Sequence, residues 1–169
     1  LEIRRKLKEY TDNLEVMVKE ATEELRERYE FEGNLIFHSI DGIIATDKKE
    51  TIITFNQGAE RIFGYSEDEV IGKMDISRLY PLGTAEDIKR GPDGREHQTA
   101  SVGSWQEAVV SDKGGQKIPV RFSGSSIYRN GKVIGSVRFF HDLREMKRLQ
   151  KQLIRSERLA ATGQTVAGL

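Results

Sequence analysis

The chain contains no cysteine among its 169 residues and has no net charge. Without cysteine it has no disulfides, thiolate metal sites, cysteine nucleophiles or cofactors attached through sulfur. Its 27 basic side chains are matched by 27 acidic ones, so no basic excess indicates a nucleic-acid partner. No apolar run approaches the roughly 20 residues that cross a bilayer, and no signal-peptide pattern occurs. We therefore expect a cytoplasmic segment, with any membrane anchor elsewhere in a longer protein.

Aromatic residues are also few, at 8% of the chain, whereas charged residues make up 32%. An average soluble domain is about one quarter charged. Long solvated helices carry many charges and need few rings, so this composition indicates one globular core accompanied by such helices.

Residues 1–33 are rich in charge, lack proline and contain no glycine before Gly33. Apolar or small side chains recur there at alternating spacings of four and three, which is typical of a coiled coil. A stripe this narrow needs a partner helix for stability, so we predict that the segment pairs in a homodimer. The alternative is a single helix that lies on the domain. The predicted dimer seam consists of Leu7, Tyr10, Leu14, Met17 and Ala21.

The middle of the chain predicts strands and short helices. Residues 42–47 and 51–55 have the composition of two strands, and Asn56 then offers an N-cap to a short helix. Ser66 and Glu69 have the spacing of a capping box before a second short helix. One more helical turn is expected at residues 75–80 and another at residues 84–89.

Three further strands are predicted at residues 105–110, 116–128 and 132–140. The second connection contains Asn130 and Gly131, the strongest short-range signal for a hairpin. Asp142 then offers an N-cap to a charged C-terminal helix, whose predicted seam includes Met146, Leu149 and Leu153. This order favours an α+β fold, a five-stranded antiparallel sheet with short helices on one face, flanked by two coiled-coil helices.

An ordered series of motifs resembles the PAS, or sensory-box, domain of bacterial signalling proteins. It comprises GIIATD at 42–47, ITFN at 53–56, AERIFGYSEDEVIGK at 59–73 and DKGGQKIPV at 112–120. The resemblance covers residues 34–142 and implies a sheet in the strand order 2-1-5-4-3, with short helices enclosing a ligand pocket. It also implies that Asp142, Leu143, Arg144 and Glu145 occupy the place of the Asp-Ile-Thr type motif that joins the last strand to an output helix.

The C-terminal residues 156–169 are similar to the start of the dimerisation and phosphoacceptor helix of sensor histidine kinases. The resemblance implies three parts: a coiled-coil helix at 1–33, a PAS sensor domain at 34–142 and a signalling helix at 143–169. It also implies that this segment has no catalytic parts of its own and serves an ATP-dependent protein-histidine kinase that acts in a two-component phosphorelay with a response regulator.

Apolar residues around the expected pocket have two interpretations. They either surround a small-molecule ligand or fill the core to ordinary density, and the second interpretation is favoured. Arg121 and Arg138 point either into the pocket or to solvent, and the predicted role of Asn56 as a helix cap is favoured over a role as a pocket donor. The candidate pocket residues are Asn56, Phe63, Tyr65, Ile76, Leu79, Phe122, Ile127, Val137 and Phe139.

No metal site or resident cofactor is predicted. The three histidines, His38, His97 and His141, lack the spacing of metal ligands. His97 falls where haem-binding relatives carry an axial histidine, but its polar surroundings favour a surface residue.

The predicted function is therefore the sensory input of a two-component histidine kinase, in which Asp142 transfers the signal to paired helices that control autophosphorylation. Two other classes stay open, a haem- or flavin-dependent sensor and a purely structural dimerisation module. Within the signalling class, the output could also be a diguanylate cyclase or a chemotaxis-type coil.

Overall fold

The computed structural model describes residues 1–80 and 105–167, the last three of these as backbone only. The predicted turn at residues 84–89 and the predicted surface position of His97 therefore lie outside the described residues. The chain divides into two compact units, Leu1–His38 and Ser39–Leu169.

The first unit is the helix α1, Glu2–Phe37, in which no residue is buried. It continues four residues beyond the predicted boundary at residue 33. Glycine costs a helix only about 1 kcal/mol relative to alanine, and no proline follows Gly33, so the helix passes through it. Two exposed ion pairs at i, i+4 spacing stabilise the helix: Arg26–Glu30 at 2.9 Å and Arg28–Glu32 at 3.0 Å.

The second unit contains a five-stranded antiparallel sheet in the order β2-β1-β5-β4-β3, which confirms the predicted fold. Short helices follow β2, and a long helix follows β5. The elements are β1 Gly42–Asp47, β2 Ile52–Phe55, α2 Gln57–Phe63, α3 Glu67–Val70, the 3₁₀ helix η1 Ile76–Leu79, β3 Gln106–Ser111, β4 Lys117–Arg129, β5 Lys132–Asp142 and α4 Arg144–Ala167.

The hairpin between β4 and β5 has the predicted two-residue turn. Asn130 and Gly131 have φ values of 50° and 73°, the left-handed conformation that a type I′ turn requires. The turn and a register shift between Ile127 and Tyr128 together place Phe122 opposite Phe140 and Gly124 opposite Arg138. On one face of the sheet, the polar Arg138 and the apolar Phe140 therefore lie two residues apart along β5.

The helices α2 and α3 begin at the predicted caps. Asn56 accepts a hydrogen bond from the Ala59 amide at 2.9 Å, and Ser66 forms a capping box with Glu69, whose carboxylate accepts the Ser66 amide at 2.9 Å. The Asn56 side chain also accepts the Ile43 amide at 2.7 Å and donates to the Asp41 carbonyl at 3.0 Å. It therefore joins α2 to the start of β1, and these contacts make it a structural cap rather than a pocket donor.

Aromatic rings form the centre of the core on the helix-covered face of the sheet. Phe140 is fully buried, with Phe63 of α2 packed edge-on against it at 5.2 Å between ring centroids and Phe122 stacked at 6.2 Å. Ile76 and Leu79 of η1 are buried in the same cluster, and Tyr65 packs against its margin. The structure thus brings these candidate pocket residues together in a packed core.

Three other candidate pocket residues, Ile127, Val137 and Phe139, lie on the opposite face of the sheet. Side chains alternate along a strand, so the neighbours of inward-facing Phe140 point outward. Ile127 shares their face through its pairing with Gly135. The expectation that these three side chains form the pocket wall was therefore wrong. Their hydrophobicity suggested the inner face, but strand parity places them on the outer one.

Replacing Gly58 with alanine is expected to destabilise the fold by about 1–3 kcal/mol, because a Cβ there would lie 2.1 Å from the Asp41 carbonyl oxygen. Thermal unfolding followed by circular dichroism measures the effect. Gly33→Ala is the matched control, since a Cβ on that helical glycine meets no atom within 4 Å. Equal midpoints for the two variants would contradict the close packing of α2 on β1.

The stability of the fold is expected to fall in acid through Glu69. A hydrogen bond from Lys113 and the Ser66 amide lower the pKa of Glu69 from 4.5 to about 2. A carboxyl group with a depressed folded-state pKa stabilises the protein above its ordinary pKa, and this contribution is lost as the pH falls from about 4.5 through 2.

Midpoints of urea unfolding for the wild type and Glu69→Gln should therefore converge between pH 5 and pH 2. Glu67→Gln, on the same helix, is the control, because Glu67 has no ion pair within the described parts of the chain. A difference between wild type and Glu69→Gln that stays constant over this range would argue against the role of the Lys113 contact.

Candidate functional site

The inner face of the sheet has an apolar half and a polar half. The row through Phe140 and Phe122 is apolar, and the next row places Arg138 between Ile44 and Gly124. The third row consists of Thr46, Ser136 and Ser126, from β1, β5 and β4. Small and polar side chains thus occupy the half that is nearer the β4–β5 turn.

Arg138 is the largest side chain in this polar half. Its exposed fraction is 16%, and its side chain passes over Gly124, where a Cβ would come within 3.3 Å of the arginine Cγ. The guanidinium Nη2 lies 3.8 Å from Glu50 Oε1, whereas Nη1 is buried and has no hydrogen-bond partner among the described residues. Of the two arginines weighed from the sequence, Arg138 points inward and Arg121 is exposed, 5.1 Å from the Trp105 ring.

Tyr80, directly after η1, is the second polar group of this region. It is 8% exposed, its ring centroid lies 6.5 Å from that of Phe140, and its hydroxyl has no hydrogen-bond partner in the described structure. Burial raises the pKa of the Tyr80 hydroxyl, an effect that the charge of Arg138 opposes and that of Glu50 reinforces. The hydroxyl is therefore protonated at neutral pH and available as a donor.

The candidate site that the structure assembles is thus Arg138, Tyr80 and Glu50, with a floor of Gly124, Ser126, Ser136 and Thr46. None of these residues was predicted as a pocket residue, although Arg138 was considered. Strand alternation gave no simple signal, because the turn alone would pair Gly124 with Val137, and the register shift between Ile127 and Tyr128 pairs it with Arg138 instead.

A second functional region is the junction between β5 and α4. Leu143 is 1% exposed, and its amide donates to the Pro119 carbonyl at 3.0 Å. Proline has no N–H with which to return this bond. The Leu143 carbonyl instead accepts the Lys147 amide at 2.9 Å, which is the first bond of the helix. One residue, Leu143, thus ends the sheet through its amide and begins α4 through its carbonyl.

Asp142, the predicted N-cap, is the last residue of β5, and the helix begins two residues later at Arg144. Its carboxylate accepts the Arg144 amide at 2.8 Å and forms an ion pair with the Arg144 guanidinium at 2.6 Å. The hydrogen bond that the Arg144 guanidinium donates to the Asp142 carboxylate raises the pKa of Arg144. The basic partner of Asp142 is therefore Arg144, two residues further along the chain.

Two more ion pairs lie in the first turn of α4. Glu145 pairs with Arg148 at 2.7 Å, and Lys147 reaches Glu107 of β3 at 3.2 Å. The Lys147 contact connects the helix to the far edge of the sheet. Residues 148–164 are all exposed, so the described contacts between helix and sheet are concentrated in this turn.

The predicted seam residues are exposed in the single chain. Their exposed fractions range from 42% at Met146 to 68% at Tyr10 among the large side chains, and Ala21 is exposed as well. This exposure leaves both helical stripes available to a partner. The full set is Leu7, Tyr10, Leu14, Met17, Ala21, Met146, Leu149 and Leu153.

No three histidine, aspartate or glutamate side chains come together as a metal site in the described residues. His141 instead forms a hydrogen bond of 2.7 Å with Asp41, between the end of β5 and the start of β1. Within residues 1–80 and 105–167, no helix is both long enough and apolar enough to span a membrane.

Comparison with known proteins gives consistent results. The family model described as PAS domain matches residues 40–145. The signal transduction histidine-protein kinase AtoS of Escherichia coli (strain K12) is 30% identical over 158 residues, which are 90% of this chain and 24% of that protein. The sensor protein kinase WalK of Staphylococcus aureus (strain Newman) is 26% identical over 141 residues, 83% of this chain and 22% of that protein.

This chain therefore spans about a quarter of the length of these curated relatives. Among solved structures, a PAS domain from Colwellia psychrerythraea superimposes with a TM-score of 0.60 at 24% identity, covering 69% of this chain and 98% of that one. That likeness supports the fold, and the family match covers well over half of the chain. The chain belongs to the PAS domain family.

Proposed function

We propose that this chain is the sensory input segment of a sensor histidine kinase. The observation that carries the proposal is the junction in which β5 passes into α4 through the buried Leu143. The similarity to two histidine-kinase relatives over 83–90% of the chain supports it, as does the likeness of residues 156–169 to a phosphoacceptor helix.

The proposed route of the signal is strand β5. This strand lies between β1 and β4, carries Arg138 and Phe140 on the helix-covered face, and ends at Asp142. A change in the packing around Arg138 would be transmitted along β5 to Leu143, because every residue between them is paired with a neighbouring strand. The effect on output requires two junction arrangements of similar free energy, between which an input selects.

The proposed output is a change in two paired α4 helices of a homodimer. Ser, Ala and Gly at the later seam positions allow close approach of the two helices or local fraying. A rotation of the first turn would therefore change the packing of the later turns. In the longer protein, these helices would position a kinase domain, which transfers phosphate from ATP to a histidine and then to a response regulator.

Asp142→Ala in the full-length protein that carries this chain is expected to change autophosphorylation at least fivefold, in basal or stimulated activity. The substitution removes both the hydrogen bond to the Arg144 amide and the ion pair that fix the first turn of α4. Incorporation of labelled phosphate from ATP measures the effect. Asp68→Ala, at an exposed position of α3, is the matched control and should leave the activity unchanged.

Autophosphorylation of Asp142→Ala equal to wild type, in a protein that still dimerises, would contradict the proposed role of the junction. A change of equal size in Asp68→Ala would show instead that the assay responds to any loss of a surface carboxylate. The first result would favour the interpretation of the domain as a structural dimerisation module.

Replacing both Leu149 and Leu153 with glutamate is expected to weaken dimerisation of this chain by at least tenfold. The two side chains are 51% and 60% exposed, and two charges placed in a coiled-coil seam repel their counterparts. Sedimentation equilibrium measures the dissociation constant. Arg155→Glu together with Arg158→Glu, on the same helix outside this seam, controls for added charge. Unchanged dimerisation of the leucine variant would contradict the seam.

A further inference from the structure

The polar half of the inner face buries two hydrogen-bonding atoms without satisfying them. Arg138 Nη1 and the Tyr80 hydroxyl are both shielded from solvent, and neither has a partner among the described residues. Leaving a buried polar atom unpaired costs about 1–3 kcal/mol, so most such atoms in folded proteins are paired. Tyr80 is close enough to Arg138 for the charge of the guanidinium to act on its hydroxyl. Two such atoms in one region indicate an acceptor that the described residues do not supply.

The floor beside Arg138 is built of unusually small side chains. Gly124, Ser126, Ser136 and Thr46 occupy inner-face positions where the other half of the sheet carries phenylalanine, isoleucine and valine. Thr46 and Ser136 satisfy each other through a hydrogen bond of 2.9 Å between their hydroxyls. These small residues leave more room above this half of the sheet than large apolar residues would, and their polar atoms suit a polar occupant.

The two unsatisfied groups define the chemistry of that occupant. The Arg138 guanidinium is a charged donor, and the Tyr80 hydroxyl is protonated, so both would donate to an acceptor. A carboxylate offers two acceptor oxygens and one negative charge, which match two donors and one cation. Glu50, at 3.8 Å from the other arginine nitrogen, holds the guanidinium in place and disfavours a doubly charged phosphate.

We propose that this polar half binds a small carboxylic acid as its anion, with Arg138 Nη1 and the Tyr80 hydroxyl as donors to its two oxygens. The proposal rests on the proposed sensory function and names the chemical class of the ligand. Binding would act on β5 directly, because Arg138 belongs to the strand that ends at the junction with α4.

The test uses the purified chain and the sodium salts of straight-chain monocarboxylic acids with two to six carbons. Acids that fit should raise the thermal midpoint by about 5 °C when present at a hundred times their dissociation constant. The corresponding neutral amides and inorganic phosphate, at equal ionic strength, serve as matched probes. These probes should change the thermal midpoint by less than about 1 °C, which is one fifth of the shift expected for an acid that fits.

Variants separate this site from nonspecific anion binding. Arg138→Gln should abolish the shift, and isothermal titration should show at least a fivefold weaker affinity for Tyr80→Phe. Arg129→Gln removes a charge of the same type from an exposed position on the same sheet and should bind as the wild type does. Without ligand, Tyr80→Phe should unfold at the wild-type temperature or above, because the lost hydroxyl had no partner in the described structure.

Several results would overturn the proposal. They are no shift with any acid of the series, a phosphate shift equal to that of the best acid, or a shift that persists in Arg138→Gln. A Tyr80→Phe protein that unfolds several degrees lower without ligand would show that the hydroxyl is already paired within the chain. None of these results bears on the autophosphorylation of Asp142→Ala, so the ligand class can fail while the signalling role stands.

Discussion

The hydrogen bond from the Leu143 amide to the Pro119 carbonyl determines where the sheet ends and the output helix begins. Because Pro119 has no N–H, the Leu143 carbonyl is available to the Lys147 amide, and the chain turns from strand to helix within one residue. Burial of the Leu143 side chain fixes this residue against the core. The ion pairs of Asp142 with Arg144 and of Lys147 with Glu107 then orient the first helical turn.

The same strand connects this junction to the division of the inner face into two halves. Phe140 anchors the apolar half through its contacts with Phe63 and Phe122. Arg138, one inward position earlier, belongs to the polar half, where two buried polar atoms have no partner among the described residues. A stable core and an incomplete polar site thus lie side by side on β5. This arrangement suits a sensor, since the stable half preserves the fold while the polar half can differ between two states.

Local chemistry made much of the fold predictable from the sequence. The Asn56 cap, the capping box of Ser66 and Glu69, and the Asn130–Gly131 turn each depend on a few neighbouring residues, and each occurs as predicted. The site was less predictable because it depends on which face of a strand points inward. Val137 and Phe139 are the apolar residues of β5 at that point, yet Arg138 is the one that faces the core. Hydrophobicity therefore indicated the wrong face, and only the register with β4 corrects it.

The central claim is that the sheet and α4 share residue Leu143, so that a change in the sheet alters the first turn of the helix. Amide hydrogen exchange of Lys147 in Pro119→Ala, measured by NMR in this chain, tests this claim most directly. The new amide at residue 119 would compete for the Leu143 carbonyl, so Lys147 should exchange about 2- to 10-fold faster, while the Phe140 amide is unaffected. Exchange of Lys147 at the wild-type rate, in a variant that folds normally, would contradict the account.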